Sequence, residues 1–315
     1  MSRTTPAALS ARMPRAPREQ GRHYRIAGAP VEAPALPGGL YVVATPIGNL
    51  RDITLRGLEV LAAADLIACE DTRVTRKLLD QFGIATTLTP YHDHNATQAR
   101  PKLLARLGEG AAVALVSDAG TPLVSDPGYK LVRAAQTAGH SVTALPGASA
   151  VLAALAVSAL PTDRFFFEGF LPARAVQRQN RIAELKHIPA TLVIFESGPR
   201  LPGALADLAA ELGPREAAIC RELTKLHEEV RRGDLQRLAR DYAAAAQPRG
   251  EMVIVIGAAE EAEPAQDELE ALLREALGRL SLKDAVVEIA TVTGQPRRAI
   301  YQRALALASE DGDGR

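Results

Sequence analysis

Residues 111–128 read AAVALVSDAGTPLVSDPG, and in this stretch an apolar run passes directly into a polar loop. The run consists of small, aliphatic and β-branched residues, which is typical of a strand buried in a parallel sheet. In the loop, residues 117–128, two glycines permit positive φ, two prolines fix φ, and serines, a threonine and aspartates supply polar groups. Open α/β sheets bind ligands beyond the carboxyl ends of their strands, so the loop predicts a ligand site. The alternative is an ordinary strand-to-helix turn in which Asp126 caps the helix.

The same unit of strand and helix recurs along the chain. In the first half, strands are predicted at residues 39–44, 66–69, 87–89, 111–116 and 141–145, with helices at 55–64, 97–107 and 129–138 and an apolar helix ending at 160. In the second half, strands are predicted at residues 164–168, 191–195, 216–221 and 252–256, with helices at 175–185, 200–212 and 235–245. Strands that alternate with helices predict an α/β fold with a mainly parallel first sheet.

Composition divides the chain further. Residues 1–37 carry six arginines against two glutamates among many alanines and prolines, so we expect a disordered basic arm. Two α/β domains are predicted at residues 38–160 and 161–258, a linker at 259–266 and a disordered end at 308–315. Residues 267–307 have helix-turn-helix spacing, with Gly294 in the turn and arginines on the following helix.

Charge and composition exclude several classes of protein. The 315 residues include 37 Lys and Arg and 37 Asp and Glu, so the overall charge predicts neither a nucleic-acid nor a membrane partner. The longest apolar stretch, residues 148–160, is too short to span a membrane. Cys69 and Cys220 are too few for a disulfide framework or a cysteine metal site, which fits a reducing cytoplasm. An organellar transit peptide is the alternative for the Arg-rich start.

Six motifs, taken together, resemble one known family. They are residues 44–54 (ATPIGNLRDIT), 68–73 (ACEDTR), the loop at 117–128, 146–149 (PGAS), 221–229 (RELTKLHEE) and 250–251 (GE). In this order they are similar to the ribosomal RNA small subunit methyltransferase I family, the 16S rRNA (cytidine(1402)-2′-O)-methyltransferases of the tetrapyrrole-methylase superfamily. The chain departs from the family at Ala96, where a glutamate is common, and at residues 196–200, which read ESGPR where ESPHR is common.

The resemblance implies two α/β domains of tetrapyrrole-methylase type that hold S-adenosylmethionine folded in the cleft between them. No Gly-x-Gly-x-x-Gly follows the first predicted strand, so a Rossmann-type site is not indicated. The residues expected to hold the cofactor are Pro46, Ile47, Gly48, Ser117, Asp118, Ala119, Gly120, Pro146, Gly147, Ala148, Ser149, Glu196, Ser197, Gly250 and Glu251.

The implied reaction is direct transfer of a methyl group to the ribose 2′-hydroxyl of cytidine(1402) in 16S rRNA. A base would assist by removing the hydroxyl proton, and the candidates are Asp71, Glu222, Lys225 and His94. The segments that contain three of these candidates also have simpler interpretations. Residues 70–73 could be a helix start, and residues 222–229 could be a solvated amphipathic segment. The histidines and carboxylates are not spaced along the sequence as the ligands of a metal site are, so no metal is expected.

RNA recognition must come from local basic surface, because the chain as a whole is neutral. The main candidates are Arg73, Arg76, Lys77, Arg221, Arg297 and Arg298, and further ones are Arg174, Arg178, Arg181, Arg231, Arg232 and Arg303. The resemblance implies a cytoplasmic homodimer that acts on the assembled small ribosomal subunit, without a membrane. Two other hypotheses are a tetrapyrrole C-methyltransferase of corrin or sirohaem synthesis and a non-enzymatic protein whose tail holds nucleic acid.

Overall fold

A computed structural model describes residues 22–259, 266–293 and 295–310, and the chain divides into two compact units after Ala258. The strands are β1 (His23–Ile26), β2 (Ala29–Glu32), β3 (Gly39–Val43), β4 (Leu66–Cys69), β5 (Leu88–Pro90), β6 (Ala112–Val116), β7 (Val142–Leu145), β8 (Phe165–Phe170), β9 (Thr191–Ser197), β10 (Glu216–Arg221), β11 (Glu229–Asp234) and β12 (Glu251–Ile256). The helices are α1 (Leu55–Ala63), α2 (Thr72–Gln81), α3 (Ala96–Gly108), α4 (Tyr129–Thr137), α5 (Ala150–Ser158), α6 (Ala175–Leu185), α7 (Leu201–Leu212), α8 (Leu235–Ala244), α9 (Gln266–Leu277), α10 (Leu282–Thr293) and α11 (Arg297–Glu310). Within these described ranges, no helix combines the length and apolar character needed to cross a membrane.

The first sheet has the strand order β5-β4-β6-β3-β7, and all of its pairs are parallel. Every residue of β3 and β6 is buried, as expected for strands covered on both faces. Helices α1 and α2 pack on one face through residues such as Leu61 and Leu79, and α3 and α4 pack on the other through Leu107 and Leu131. The carboxyl ends of all five strands therefore meet at one edge, which confirms the parallel sheet predicted from the alternation.

The second sheet is mixed, with the order β11-β10-β12-β9-β8 and only the β8–β9 pair parallel. Helices α6, α7 and α8 cover one face with a core that includes Ile182, Leu205 and Leu238. The other face packs against α5, which follows β7 of the first sheet and contributes Val151 and Leu155. Because α5 is apolar on every side, it can be buried between the two halves of the larger unit.

The predicted boundary at residue 160 falls between the two sheets, but it groups α5 with the first sheet. In the structure, the buried residues of α5 share a core with Val193, Ala218 and Val255 of the second sheet. Ile47, from the loop after β3, joins the same core. The two halves are thus joined by a common core, and the larger unit is compact as a whole.

Residues 22–37 differ from the predicted disordered arm. Strands β1 and β2 form an antiparallel hairpin, and Tyr24 on β1 is only 2% exposed, in the core that contains α1. The N–H of Arg25 donates to the carbonyl of Phe82 at 2.7 Å, which ties the hairpin to the end of α2. The prediction was wrong here because a few apolar side chains suffice to fold a short hairpin onto an existing core. The rest of the predicted arm lies outside the described residues.

Strand β11 was not predicted. Its sequence, EVRRGD, has no apolar alternation, and its residues are partly or fully exposed. It pairs antiparallel with β10 along its whole length, from Glu216 opposite Asp234 to Arg221 opposite Glu229. As an edge strand it is held mainly by backbone hydrogen bonds to β10, which leave no pattern in the side chains.

The smaller unit consists of α9, α10 and α11, which agrees with the predicted helical tail. The three helices share a core that includes Leu273, Ile289 and Ile300. Ser281 caps α10, because its Oγ accepts a hydrogen bond from the N–H of Asp284 at 3.3 Å. The predicted turn residue Gly294 lies outside the described residues.

Candidate active site

Two loops of the first sheet are joined directly beyond the ends of their strands. After β3 and β6, Thr45 and Gly120 exchange two backbone hydrogen bonds of 2.9 Å each, and the Thr45 hydroxyl donates to the carbonyl of Ser117 at 3.1 Å. Gly120 has φ +78°, and a Cβ there would lie 3.3 Å from Cγ2 of Ile47. The neighbouring strands β3 and β6 therefore bring two predicted cofactor loops into one surface, at the edge where α/β sheets bind ligands.

The third predicted loop, residues 146–149, is attached to the same surface. The hydroxyl of Thr121 donates to the carbonyl of Ala148 at 3.2 Å. A Cβ on Gly147 would lie 2.8 Å from Cβ of Ala44, so this approach of two backbones requires glycine. Ser149 begins α5, accepting a hydrogen bond from the N–H of Leu152 at 3.4 Å. The three loops thus form a continuous wall.

A cavity of about 330 Å³ lies between this wall and the inner face of the second sheet, a size suited to a small molecule. We call its two sides the loop wall and the sheet wall. The lining residues are Ile47, Ala119, Gly120, Thr121, Val124, Ser125, Asp126, Ser149, Ala150, Val151, Phe170, Phe195, Glu196, Ser197, Cys220, Leu223, Glu251, Met252 and Val253. Of the predicted cofactor residues, seven line the cavity: Ile47, Ala119, Gly120, Ser149, Glu196, Ser197 and Glu251. The other eight, Pro46, Gly48, Ser117, Asp118, Pro146, Gly147, Ala148 and Gly250, belong to the same loops but do not line it.

Glu196, at the end of β9, is the most deeply buried charge in the sheet wall. Its side chain is 0% exposed, and its Oε1 accepts a hydrogen bond of 2.8 Å from the N–H of Ser197. Nε of Arg200 lies 3.2 Å from Oε1 but forms no hydrogen bond. Oε2 has no hydrogen-bond partner among the described residues. Because an unpaired buried carboxylate oxygen is costly, a donor from a bound molecule would stabilise it.

A loop that we call the bridging loop, residues 222–228, connects β10 to β11 and holds two of the predicted bases. Nζ of Lys225 donates to Oε1 of Glu222 at 2.9 Å and to Oε2 of Glu251 at 2.8 Å. Burial opposes ionisation of Glu222, but the N–H of Glu251 and the Lys225 ammonium outweigh it and lower the pKa of Glu222. Burial likewise disfavours the ammonium, yet the two carboxylates raise the pKa of Lys225. Both side chains are therefore charged near neutral pH, as an ion pair.

The bridging loop also contacts the loop wall. The N–H of Asn49 donates to Oγ1 of Thr224 at 3.1 Å, and a Cβ on Gly48 would lie 2.8 Å from the same oxygen. Glu222 and Thr224 both have positive φ, at 49° and 66°, an unusual conformation for residues with side chains. Gly48 is therefore needed for close approach between the two walls, rather than for contact with the cavity.

Asp71 is placed at the start of α2, where it caps the helix. Its carboxylate accepts from the N–H of Arg73 at 2.8 Å and from the guanidinium at 3.0 and 2.6 Å. These hydrogen bonds lower the pKa of Asp71 to about 2. The N–H of Asp71 donates to Oδ1 of Asp118 at 3.0 Å, which connects the segment to the loop wall. Asp71 is thus ionised and paired, and it does not line the cavity.

His94, the fourth predicted base, lies in the turn before α3. Its ring is exposed and packs edge-on against His92, with 6.0 Å between ring centroids. It does not line the cavity. Among the described residues, no group of three or more His, Cys, Asp or Glu side chains could hold a metal ion. The absence of a metal requirement stays a prediction.

Several cavity residues were not among the predicted site residues. Asp126 was considered as a helix cap, but Gly128 occupies the cap position of α4 and Asp126 lines the cavity. Burial raises the pKa of Asp126; a hydrogen bond with Ser117 opposes this and the charge of Asp118 adds to it. The polar composition of the loop was the available signal for Asp126. No such signal exists for Phe170 and Phe195, whose rings meet edge-on at 5.6 Å, because an apolar strand residue gives no indication of what it faces.

Some of the predicted RNA-binding residues already bind other groups of the protein, and others do not. Arg73 is 87% exposed but paired with Asp71, and Arg221 donates to the carbonyl of Arg249 at 2.9 Å. Arg76, Lys77, Arg297 and Arg298 form no ion pair with another described residue, and the last two are exposed on the first turn of α11. Among the further candidates, several are paired within the protein: Arg178 with Asp207, Arg181 with Glu168 and Glu184, Arg231 with Glu229, and Arg303 with Glu270.

Comparison with known proteins identifies the fold and the family. A family model described as tetrapyrrole (corrin/porphyrin) methylases matches residues 39–239, and one described as the RsmI C-terminal HTH domain matches residues 263–308. Among solved structures, uroporphyrin-III C-methyl transferase from Thermus thermophilus complexed with S-adenyl homocysteine is similar with a TM-score of 0.50 and 18% identity, over 70% of this chain and 97% of that one. At this identity the likeness supports the fold alone.

Relatives that carry the name ribosomal RNA small subunit methyltransferase I include proteins from Mesorhizobium japonicum and Xylella fastidiosa. The protein from Mesorhizobium japonicum is 52% identical over 286 residues, which covers 90% of this chain and 97% of the relative. The protein from Xylella fastidiosa is 46% identical over 271 residues, which covers 84% of this chain and 98% of the relative. The chain therefore belongs to the ribosomal RNA small subunit methyltransferase I family of the tetrapyrrole methylases.

Proposed function

We propose that this protein uses S-adenosylmethionine to methylate the ribose 2′-hydroxyl of cytidine(1402) in the 16S rRNA of the small ribosomal subunit. The observation that carries the proposal is that the motifs of the resemblance converge on the cavity: the loops at 44–54, 117–128 and 146–149 form one wall, and Leu223 of residues 221–229 lines the cavity. The names of the relatives, over nearly their whole length, support the substrate class.

The cavity residues fit the cofactor. A cation or hydroxyl donor of the ligand would pair with the free Oε2 of Glu196, which has no partner among the described residues. Ala119, Gly120 and Thr121 line the cavity after β6, where an adenosine would lie against them. The apolar rings of Phe170 and Phe195 supply surface for a base. A protein of the same fold, at 18% identity, has been solved in complex with S-adenyl homocysteine.

The work left to the chain is mainly positioning. When bound, S-adenosylmethionine supplies a methyl group on a sulfonium, which is already a strong electrophile. The two walls restrict the direction from which the hydroxyl can approach, and such orientation can supply a large part of the acceleration. The ion pair of Lys225 with Glu222 and Glu251 holds the bridging loop against β12 of the sheet wall, with Leu223 inside the cavity. In this arrangement the Lys225 ammonium stabilises the charges of Glu222 and Glu251 and keeps the bridging loop in position.

For the RNA, we propose contact through basic residues that are not paired within the protein. Arg76 and Lys77 on α2 are near the cavity end of the first sheet, because α2 starts beside Asp118. Arg297 and Arg298 lie on the helical tail, and the family's ribosomal substrate implies a cytoplasmic site of action. A homodimer is part of the proposal, on the family resemblance alone.

The test is methyl transfer from labelled S-adenosylmethionine to small ribosomal subunits purified from a strain that lacks this gene, followed by nucleoside analysis. We expect label in 2′-O-methylcytidine of the 16S rRNA. We expect none when the subunits come from the parent strain, which retains the gene and whose subunits are already methylated. Incorporation into a tetrapyrrole extract, with none into subunits, would replace the proposal by a tetrapyrrole C-methyltransferase. Chelation of divalent metals should leave the transfer rate unchanged once subunit integrity is controlled.

A further inference from the structure

The structure narrows the choice of proton acceptor. Asp71 is held by Arg73, and Glu222 is held by Lys225, so each of these carboxylates has a cationic partner. The pairing stabilises the charged form and makes both weak bases. Lys225 is itself kept protonated by Glu222 and Glu251. His94 lies outside the cavity. None of the four predicted bases combines a free lone pair with a place in the cavity.

Asp126 has both a free lone pair and a place in the cavity. It lines the cavity on the loop wall, is half-buried, and forms no ion pair with any basic side chain of the described residues. The acidic groups around it are Asp118 and Glu70 at the carboxyl ends of the first sheet, with Glu196 and Glu251 lining the opposite wall. Burial raises the pKa of Asp126, the hydrogen bond from Ser117 acts the other way, and the charge of Asp118 raises the pKa further. The result is a carboxylate with increased affinity for a proton.

The loop that carries Asp126 is fixed at several points. The hydroxyl of Thr121 donates a hydrogen bond to the carbonyl of Ala148. Leu123 and Ser125 have positive φ, at 75° and 60°. A Cβ on Gly169, at the irregularity in β8, would lie 3.0 Å from Oγ of Ser125, so the loop touches the second sheet as well as the first. Positive φ at residues other than glycine costs free energy and persists where the surroundings impose it. Asp126 is therefore held in place by contacts from both halves of the cavity.

We infer that Asp126 is the catalytic base that accepts the proton of the ribose 2′-hydroxyl during methyl transfer. This inference rests on the proposed function. In the step, the bond between the ribose oxygen and the methyl carbon forms as the bond between sulfur and that carbon breaks. The electron pair of the broken bond remains on sulfur, which becomes a neutral thioether, and the hydroxyl proton moves to the Asp126 carboxylate.

The experiment compares Asp126→Asn with wild type and with Asp93→Asn, an exposed acidic residue outside the cavity. Single-turnover methylation of small subunits is measured as a function of pH, and S-adenosylhomocysteine binding is measured by calorimetry. For Asp126→Asn we expect a rate about 10²-fold or more below wild type, as for loss of a general base, with unchanged product affinity. The wild-type rate should fall as pH decreases through the raised pKa of Asp126, and this acid limb should disappear in the variant. Asp93→Asn should keep both the rate and the limb.

Two results would overturn the inference while leaving the proposed function intact. One is a wild-type rate in Asp126→Asn. The other is a loss of rate matched by an equal loss of S-adenosylhomocysteine affinity, which would make Asp126 a ligand-binding residue. If Asp126→Asn does not fold, the wild-type pH profile decides: a profile without an acid limb contradicts a carboxylate base. Failure of wild type to methylate subunits at all would instead contradict the proposed function.

Discussion

The two walls of the cavity are built on opposite principles. The loop wall consists of backbone-rich turns at the ends of parallel strands, where glycines allow close approach and Asp126 supplies the free carboxylate. The sheet wall is the inner face of a mixed sheet, largely apolar, with Glu196 as its buried charge. From this difference we expect the loop wall to contact a ligand through shape and backbone groups, and the sheet wall through apolar surface and the buried charge of Glu196. Four substitutions test this contrast, in decreasing order of expected effect.

The largest effect is expected for Gly147→Val in the loop wall. The Cβ of the new side chain would lie 2.8 Å from Cβ of Ala44, and because both atoms are fixed to the backbone, the loop must move. A displacement of about 1 Å near reacting groups can cost about 10²-fold in rate. We expect both S-adenosylhomocysteine affinity, by calorimetry, and methylation to fall by about that factor. Gly108→Ala, in a helix position with free space, is the control and should change neither; equal behaviour of the two variants would contradict the close-approach role.

Glu196→Gln tests the sheet wall. The change keeps the shape but removes the charge whose Oε2 lacks a partner among the described residues. Hydrogen bonds to charged groups contribute about 1.5–3 kcal/mol, so the affinity for S-adenosylhomocysteine should fall about 10- to 100-fold. The matched control is Glu216→Gln, an exposed position at the start of β10 in the same sheet. An affinity equal to that of the control would mean that no ligand group pairs with Glu196.

Lys225→Met tests the attachment of the bridging loop to the sheet wall. Because the ammonium is partly exposed, its two ion pairs should contribute at most about 1 kcal/mol to the free energy of unfolding. The folded-state pKa of Glu222 is lowered, so this contribution is present above the unfolded pKa of the carboxyl and is lost as pH falls through the folded value. Urea unfolding of wild type and variant should therefore differ at neutral pH and converge in acid. A difference that grows in acid would contradict the pairing.

The smallest effect is expected for Asp71→Asn, away from the cavity. The folded pKa is about 2 against an ordinary 3.8, so the pair with Arg73 stabilises the fold above the ordinary value and the contribution is lost as pH falls toward 2. The carboxylate is solvent-accessible, so only a slight shift of the acid-unfolding midpoint is expected. S-adenosylhomocysteine affinity should not change. A loss of affinity as large as that for Glu196→Gln would show that the segment around Asp71 reaches the ligand.

The loop wall could be predicted from the order of strands, helices and turns along the chain. Strands of the first sheet and nearly all helices could be predicted, because buried parallel strands are short apolar runs and helices have their own period. The loops between them carry glycine, proline and capping residues whose conformational roles are local, so the positions of residues 117–128 and 146–149 at one sheet edge followed from topology. The family resemblance rested on these same loops and is confirmed.

The sheet wall and the pairing of the charged side chains could not be predicted, because both depend on contacts between residues distant in sequence. Phe195 faces the cavity because of what packs against the two sides of its strand, and an apolar strand sequence does not specify this. The placement of α5 on the second sheet likewise depends on packing. Edge strand β11 and the hairpin of β1 and β2 are held by pairing partners distant in sequence. Whether a carboxylate is paired, as in Asp71, or free, as in Asp126, depends on side chains brought within a few ångströms. Such interactions decay over that distance, and residue spacing along the chain does not specify them.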